Sequence, residues 1–389
     1  MSQDKTRMVA TVVDLTKTDD LRDVVHRVVQ ALAEGQVIAL PTETVYGLAA
    51  RALDAEAVQR VLDIKGRQAG HPLALAVKDF AEAYDFVPEA PALFRRLARR
   101  CWPGPLTMVC RHGNSRSLLT QLDPRVREAV APTETLGFRV PAHDVVQEIL
   151  KLTVGPLVLT SANLSGEPAA LSGQEVVAAL GDRVDLVLDG GRTRYGQPST
   201  VVLVEPARVR VLREGVLSVS ALKHLASFVV LVVCTGNTCR SPMAEVLLKK
   251  ILSERLGVSI DELPTHGVTV QSAGLAAGPG APASAPAVEV MAQKGLDLKS
   301  HTSQPVTDAM LTAADLILTM TGQHRDAILA HRPELADRVR LLCRDGSDVS
   351  DPIGGPLELY QTCATQIESE LRQWVEELDD QLIRFEVVS

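Results

Sequence analysis

The sequence predicts an α/β protein of two domains. Three observations carry that expectation. Short apolar runs of strand length alternate with stretches whose apolar residues recur at helical spacing, the pattern of a sheet layered with helices. The chain has 389 residues, and at roughly 150 residues per domain that is enough for two or three cores. One apolar system closes and another opens near residues 218–227. The expected domains are therefore residues 8–219 and 228–387.

After a loose start, residues 25–34 (VHRVVQALAE) carry helical spacing and stop at Gly35. Residues 37–40 form a short strand ended by Pro41. Asp54 caps a helix with Val58, Val61 and Leu62 on one face, because an aspartate ahead of an apolar period satisfies first-turn N–H groups. Strands follow at 73–77, 106–110, 157–159, 186–188, 200–204 and 209–212, with helices at 90–100, 145–152 and 173–180. Residues 220–226 read as a short helix at the break. Beyond it, strands at 228–233, 268–272, 316–319 and 339–342 alternate with helices at 242–256, 285–294, 308–313, 323–330 and 357–385. That order suits a doubly wound parallel sheet. The Ala-, Gly-, Pro- and Ser-rich stretch 276–286 is a loop within it.

Composition excludes some functions. Lys and Arg total 40 against 48 Asp and Glu, a net charge of −8, which argues against broad coating of nucleic acid. Aromatics make up 3%, too few for base-stacking platforms. The six cysteines, Cys101, Cys110, Cys234, Cys239, Cys343 and Cys363, are too sparse for a disulfide framework. Residues 1–20 lack the apolar run of a signal peptide, and the run 228–234 is too short to span a bilayer. A reduced, cytoplasmic chain with no membrane partner is expected.

The sharpest motif is 228–245, FVVLVVCTGNTCRSPMAE. A strand runs into a loop of small residues, and Ser241-Pro242 opens a helix. A loop between a strand and a helix N-terminus gathers N–H groups into an anion site. Arg240 adds a two-pronged phosphate ligand. The same positive field suits Cys234 as a thiolate nucleophile. Cys110 and Arg116 repeat the spacing, but Arg111 and His112 are too bulky for a tight loop and no long amphipathic helix follows. A cysteine phosphatase also needs an acid and a base, and Asp351-Pro352 sits on a loop before the last helix.

Residues 228–385 resemble the low-molecular-weight protein-tyrosine phosphatase family. The matches are CTGNTCRS, Ser272-Ala273-Gly274, GLDLKSH at 295–301, DLILTM at 315–320 and Asp351-Pro352. The resemblance implies Cys234 as nucleophile, Arg240 as phosphate binder and Asp351 as general acid and base. Thr235, Gly236, Thr238 and Cys239 complete the phosphate loop, with Asn237 and Ser241 ordering it, and no metal is needed. The run CTGNTCRSPMAE is similar to the protein-arginine phosphatase branch. Thr238 is small and polar where tyrosine-specific members carry a larger aliphatic residue, and Ile353-Gly354-Gly355 follow Asp-Pro where aromatics are usual. Phosphoarginine is thus expected over phosphotyrosine, with simple loop packing as the plainer reading of Thr238. Arsenate reductase shares the fold but needs a resolving cysteine pair, and Cys343 and Cys363 stand 20 positions apart.

The first half carries PTETVYGL at 41–48, Lys65-Gly66-Arg67, His71-Pro72, WPGPLT at 102–107, GFRVP at 137–141, Ser161-Ala162-Asn163, Ser199-Thr200 and Arg213. Strand-end hydroxyls and amides with scattered cations suit a polyphosphate and an amino acid. In this order the motifs resemble the YrdC-like threonylcarbamoyl-AMP synthase family over residues 14–222. The resemblance implies a twisted mixed sheet with helices, and the joining of L-threonine, bicarbonate and ATP into threonylcarbamoyl-AMP and pyrophosphate for tRNA modification. It places Thr44, Arg139, Ser161 and Ser199 on threonine, and Lys65, Arg67, His71, Thr135, Asn163 and Arg213 on ATP. Magnesium is a helper without protein ligands of its own. Phosphorylated proteins and a tRNA-modification transfer complex are the expected partners. Ala76 and Leu171 depart from the family pattern, where His and Thr occur. The alternative reading joins a phosphotyrosine phosphatase to a catalytically weak module that binds nucleotide or RNA, double-stranded RNA included.

Overall fold

The computed structural model describes residues 10–66, 72–113 and 116–389. The chain divides into two units: one runs to Leu225 and takes in Glu386–Ser389, and the other is Ala226–Phe385.

In the first unit the strands are β1 (Thr11–Asp14), β2 (Ile38–Leu40), β3 (Gly47–Arg51), β4 (Ala74–Ala76), β5 (Leu106–Arg111), β6 (Thr135–Arg139), β7 (Leu157–Ser161), β8 (Leu186–Asp189), β9 (Thr200–Glu205) and β10 (Arg208–Arg213). The second unit has β11 (Phe228–Cys234), β12 (Val268–Gly274), β13 (Leu316–Thr319) and β14 (Val339–Leu341), after which β15 (Glu386–Val388) rejoins the first.

The first sheet runs β1-β8-β2-β3-β7-β4-β6-β5-β9-β10-β15. It is mixed: β2 pairs antiparallel with β3 and parallel with β8, and β5 pairs antiparallel with β6 and parallel with β9. Helix Leu21–Ala33 starts where the Asp20 side chain accepts from Arg22 and Asp23 N–H. Asp54 caps helix Ala55–Lys65 in the same way through Ala57 N–H. Helices Leu21–Ala33 and Asp144–Leu152 bury Val28, Leu32 and Ile149 with Ile38, Leu40 and Leu188 of the sheet.

The second sheet is wholly parallel, in the order β12-β11-β13-β14. Successive residues of β11 face opposite sides. Val230 and Val232 pack with the helices Arg240–Leu256 and Leu357–Glu377. Leu231 and Val233 pack with Leu311, Ile328 and Leu335. A central strand buried on both faces reads as an unbroken apolar run. The order reverses at β11, so the loop leaving its C-terminal end lies at the switch point, where open parallel sheets form their clefts.

Several expectations need correction. The loose start holds β1, and the helix expected at 25–34 begins one turn earlier, at Leu21. Strands β3 and β6 and helices Phe80–Phe86 and Pro124–Val130 lie where none was expected. The helix expected at 357–385 stops at Glu377 and a separate short helix, Asp380–Ile383, follows it, while β15 pairs with β10 of the first unit, inside the span expected of the second domain. Strands such as GLAAR are made by their neighbours on both sides, since Gly and Ala have little strand preference.

Candidate active sites

In the second unit β11 ends at Cys234, the loop turns through Thr235, Gly236, Asn237, Thr238 and Cys239, and helix Arg240–Leu256 begins. Cys234 as a whole is 3% exposed, and its sulfur faces the loop. It lies 2.9 Å from Ser241 Oγ and accepts from Asn237 N–H at 3.3 Å. Asn237 Nδ2 donates to Ser241 Oγ at 2.9 Å, which leaves the serine hydrogen for the sulfur. Two donors aimed at one sulfur suit an anionic nucleophile.

Asn237 holds the loop in shape. Its φ is 53°, in the left-handed region, where only asparagine and a few other side chains sit with ease. Nδ2 also donates to Ser272 Oγ at 2.9 Å, Oδ1 accepts from Gln304 N–H at 2.9 Å, and the carbonyl bonds His301 Nε2 at 2.8 Å. Ser272 donates in turn to Glu245 at 2.6 Å. Gly274, at the end of β12, lets this loop approach: a Cβ there would lie 2.5 Å from the Thr235 carbonyl oxygen and 2.9 Å from Asn237 N.

Arg240 is buried and donates to Val349 O at 3.2 Å and to Thr235 Oγ1 at 3.4 Å. It also ion-pairs with Asp351. The Asp351 side chain is 40% exposed against 6% for Arg240, so the carboxylate stands at the mouth and the guanidinium at the floor. Thr238 is half-buried, and its carbonyl accepts from Ser284 N–H at 2.9 Å. Cys239 is buried, 3.3 Å from Ser284 Oγ and 3.6 Å from Tyr360 OH.

The other thiols are different. Burial pushes Cys101, Cys110 and Cys363 up to about 12. Cys110 lies inside β5 rather than on a loop, so it is a core residue. All six cysteines are free.

In the first unit a cavity of about 510 Å³ opens beside the central strands. Six expected residues line it: Thr135 and Arg139 of β6, Ser161 of β7, Asn163 just beyond it, Ser199 before β9 and Arg213 at the end of β10. Thr44 and Lys65 stand one bond behind. Arg139 donates to Thr44 Oγ1 at 2.6 Å. Lys65 Nζ, almost wholly buried, donates to Ser161 O at 2.8 Å and to Asn163 Oδ1 at 2.7 Å. Arg213 donates to Ser199 O at 2.9 Å, and Ser199 Oγ meets Thr107 Oγ1 at 2.8 Å. Arg67 and His71 lie outside the described residues. Ala76 pairs in register with Arg139.

Glu43 was legible in PTETVYGL only as part of the motif. It is buried, accepts from Arg139 at 2.9 Å and from Ala142 N–H at 2.9 Å, and so fixes the guanidinium. The Arg139 Nε is buried with no partner among the described residues. Sequence reasoning also gave no role to Ser272, His301, Gln304, Glu245 and His324. Ser272 and His301 stood in matched motifs. Glu245 closes the run CTGNTCRSPMAE, and for Gln304 and His324 the signal is contact alone.

Residues 30–215 match the family described as Telomere recombination, and residues 229–384 match Low molecular weight phosphotyrosine protein phosphatase. The chain is 35% identical over 194 residues to the threonylcarbamoyl-AMP synthase of Pyrococcus abyssi, covering 50% of this chain and 54% of that one. It spans about half the length of the curated synthases of Pyrococcus abyssi and Bacillus subtilis. It covers 95% of a shorter putative threonylcarbamoyl-AMP synthase of Mycobacterium tuberculosis, at 34% identity. The protein-arginine-phosphatase of Bacillus subtilis is 40% identical over 153 residues, 38% of this chain and 95% of that one. Among solved structures, the Sua5 protein of Pyrococcus abyssi complexed with L-threonine has a TM-score of 0.50 and 25% identity, covering 68% of this chain and 92% of that one.

Proposed function

The chain belongs to the threonylcarbamoyl-AMP synthase family over its first half and to the low molecular weight phosphotyrosine protein phosphatase family over its second, and from that premise we propose that each unit is an enzyme. The observation that carries the reading is that each unit gathers its own motif residues at one place: six around the first cavity, and Cys234, Arg240 and Asp351 around the phosphate loop.

In the first unit L-threonine, bicarbonate and ATP give threonylcarbamoyl-AMP, pyrophosphate and water. The threonine nitrogen and bicarbonate form a carbamate. A carbamate oxygen then bonds the α-phosphorus as the bond to pyrophosphate breaks. Arg139, held in place by Thr44, suits the threonine carboxylate, with Ser161 and Ser199 beside it. Thr135, Asn163 and Arg213 hold ATP, joined by Arg67 and His71. Lys65 tethers the Ser161–Asn163 turn and brings positive charge to it. The polar side chains of the described lining are hydroxyls, the Asn163 amide, the Arg139 and Arg213 cations and one carboxylate, Glu167, set among apolar residues, and no cluster of three His, Cys, Asp or Glu side chains occurs among the described residues. That set does not fit a resident divalent ion, so magnesium would arrive on the ATP phosphates. The adenylate is an acyl donor for tRNA, which makes a transfer complex the natural consumer. No helix among the described residues is long and apolar enough to cross a membrane, and a cytoplasmic site of action follows from the substrates.

In the second unit the Cys234 sulfur attacks phosphorus while Asp351 gives a proton to the leaving group. The resulting cysteinyl phosphate is cleaved by a water whose proton returns to Asp351. Arg240 and the loop N–H groups hold the phosphoryl oxygens. We favour phosphoarginine: Thr238 offers a small polar wall beside a planar guanidinium, and the Bacillus subtilis relative bears that activity's name.

Two assays test the reading. Pyrophosphate release from ATP, threonine and bicarbonate should vanish in the double variant Lys65→Ala, Arg67→Ala. Salt-dependent RNA binding with no pyrophosphate release would favour the binding-module alternative. Phosphate release from phosphoarginine and phosphotyrosine peptides should favour the former, and Thr238→Ile should shift the ratio toward phosphotyrosine. An unchanged ratio would sink the specificity argument.

A further inference from the structure

His324 is buried in the first turn of helix Gly322–His331, which follows β13. Both ring nitrogens are engaged. Nε2 lies 2.9 Å from Thr235 Oγ1 in the phosphate loop, and Nδ1 lies 2.9 Å from Thr321 Oγ1, the cap of the same helix. Thr235 Oγ1 also accepts from Arg240 at 3.4 Å. A chain of contacts thus runs from the phosphate-binding guanidinium, through one hydroxyl, to a ring held rigid by a second.

We propose that His324 is a positioning residue of the phosphatase site: its neutral ring holds the Thr235 hydroxyl in place for Arg240, and so sets how the guanidinium meets a phosphoryl group. This rests on the phosphatase reading of the second unit. In a neutral imidazole one nitrogen accepts, so one of the two threonine hydroxyls donates into the ring. A protonated ring has two donors, and both hydroxyls must accept. Thr235 Oγ1 then receives His324 and Arg240 together, with two cations converging on one oxygen. The charged groups facing the ring are Arg240, from helix Arg240–Leu256, and Asp348 and Asp351, from the loop before helix Leu357–Glu377. Burial, then Arg240, hold His324 below the ordinary histidine range, while the two aspartates oppose. Neutral pH keeps the relay intact, and acid breaks it.

The test uses the full chain, with kcat/KM on a phosphoarginine peptide and competitive inhibition by inorganic phosphate, from about pH 5 to about pH 8. His324→Ala should raise the phosphate inhibition constant about tenfold at neutral pH. His324→Asn keeps a donor and an acceptor without titrating, so it should bring that constant back to within about threefold. It should also lose part of the wild-type fall in kcat/KM on acidification. Equal behaviour of the two variants, or a wild-type to His324→Asn ratio that is flat across the pH range, would overturn the proposal. Thr235→Val, alone and with His324→Asn, gives an independent arm: the second change should add nothing to the first, and a full additional loss would overturn the relay. Cys234→Ser separates the two levels. Turnover that survives it defeats the phosphatase reading itself, whereas turnover abolished by it with a flat His324→Asn ratio defeats only the relay.

Discussion

Asn237 shows how much one side chain carries. It is fully buried, sits at φ 53°, and joins the loop to Ser241, Ser272, His301 and Gln304. Asn237→Ala keeps the strained φ and orphans several buried groups. A loss of about 2–4 kcal/mol from the second unit is expected by urea unfolding, with phosphate release reduced at least about a hundredfold. His324 gives a second expectation, with a definite sign. Burial, then Arg240, hold its folded pKa below the ordinary histidine value of about 6.5, so the unfolded chain binds more protons in that window. The stability it contributes is fully present above about 6.5 and is lost as pH falls through the depressed folded value. His324→Asn should therefore flatten the acid side of the urea midpoint against pH, and an unchanged slope would contradict this. Cys234, Arg240 and Ser241 could be read in the sequence because strand, loop and helix start are contiguous. The distant partners of Asn237, namely Ser272, His301 and Gln304, could not be, because they come from two remote segments that only the folded sheet unites. The pairing of Glu43 with Arg139 is hidden for the same reason.

At the level of elements, β12 and the phosphate loop touch because Gly274 has no side chain. Gly274→Ala would drive a methyl into the Thr235 carbonyl oxygen and Asn237 N, both backbone atoms that cannot swing aside. The loop must shift, so the expected result is a loss of about 1–3 kcal/mol and a larger loss of kcat than of phosphate affinity. A variant with wild-type kcat would show that the loop absorbs the methyl. Long buried runs such as β11 were legible because both faces of a parallel strand are apolar. Short strands such as β3 and β6 were not. GLAAR and TLGFR have weak patterns of their own and are strands because each is paired on both sides. The break after Glu377 is hidden for a related reason: the apolar period continues toward 385, but Leu378 leaves the helix with extended backbone and Asp379 caps a separate short helix, Asp380–Ile383.

For the whole molecule, each site is built from residues of its own unit. Cys234→Ser should therefore leave pyrophosphate release within about twofold of wild type, and Arg139→Ala should leave phosphate release equally untouched. Cross-inhibition larger than that would mean the two activities are coupled. The two-domain expectation was legible because motifs of each family fall in separate halves. The return of residues 386–389 to the first unit was not, since three residues with no motif form β15. That strand has a consequence for how the protein is made. The outer edge of β10 pairs with β15, through Val209 and Val387 in register and an ion pair between Arg208 and Glu386. On the ribosome, β10 emerges well before its neighbour, and all of Ala226–Phe385 must be translated in between. For that interval the nascent first sheet presents an open strand edge, the kind of surface on which chains misassemble. Chains released just short of residue 386 should scatter more light than the full chain, because the six-residue edge of β10 gives way to the shorter, three-residue edge of β15 only when translation has passed both active sites.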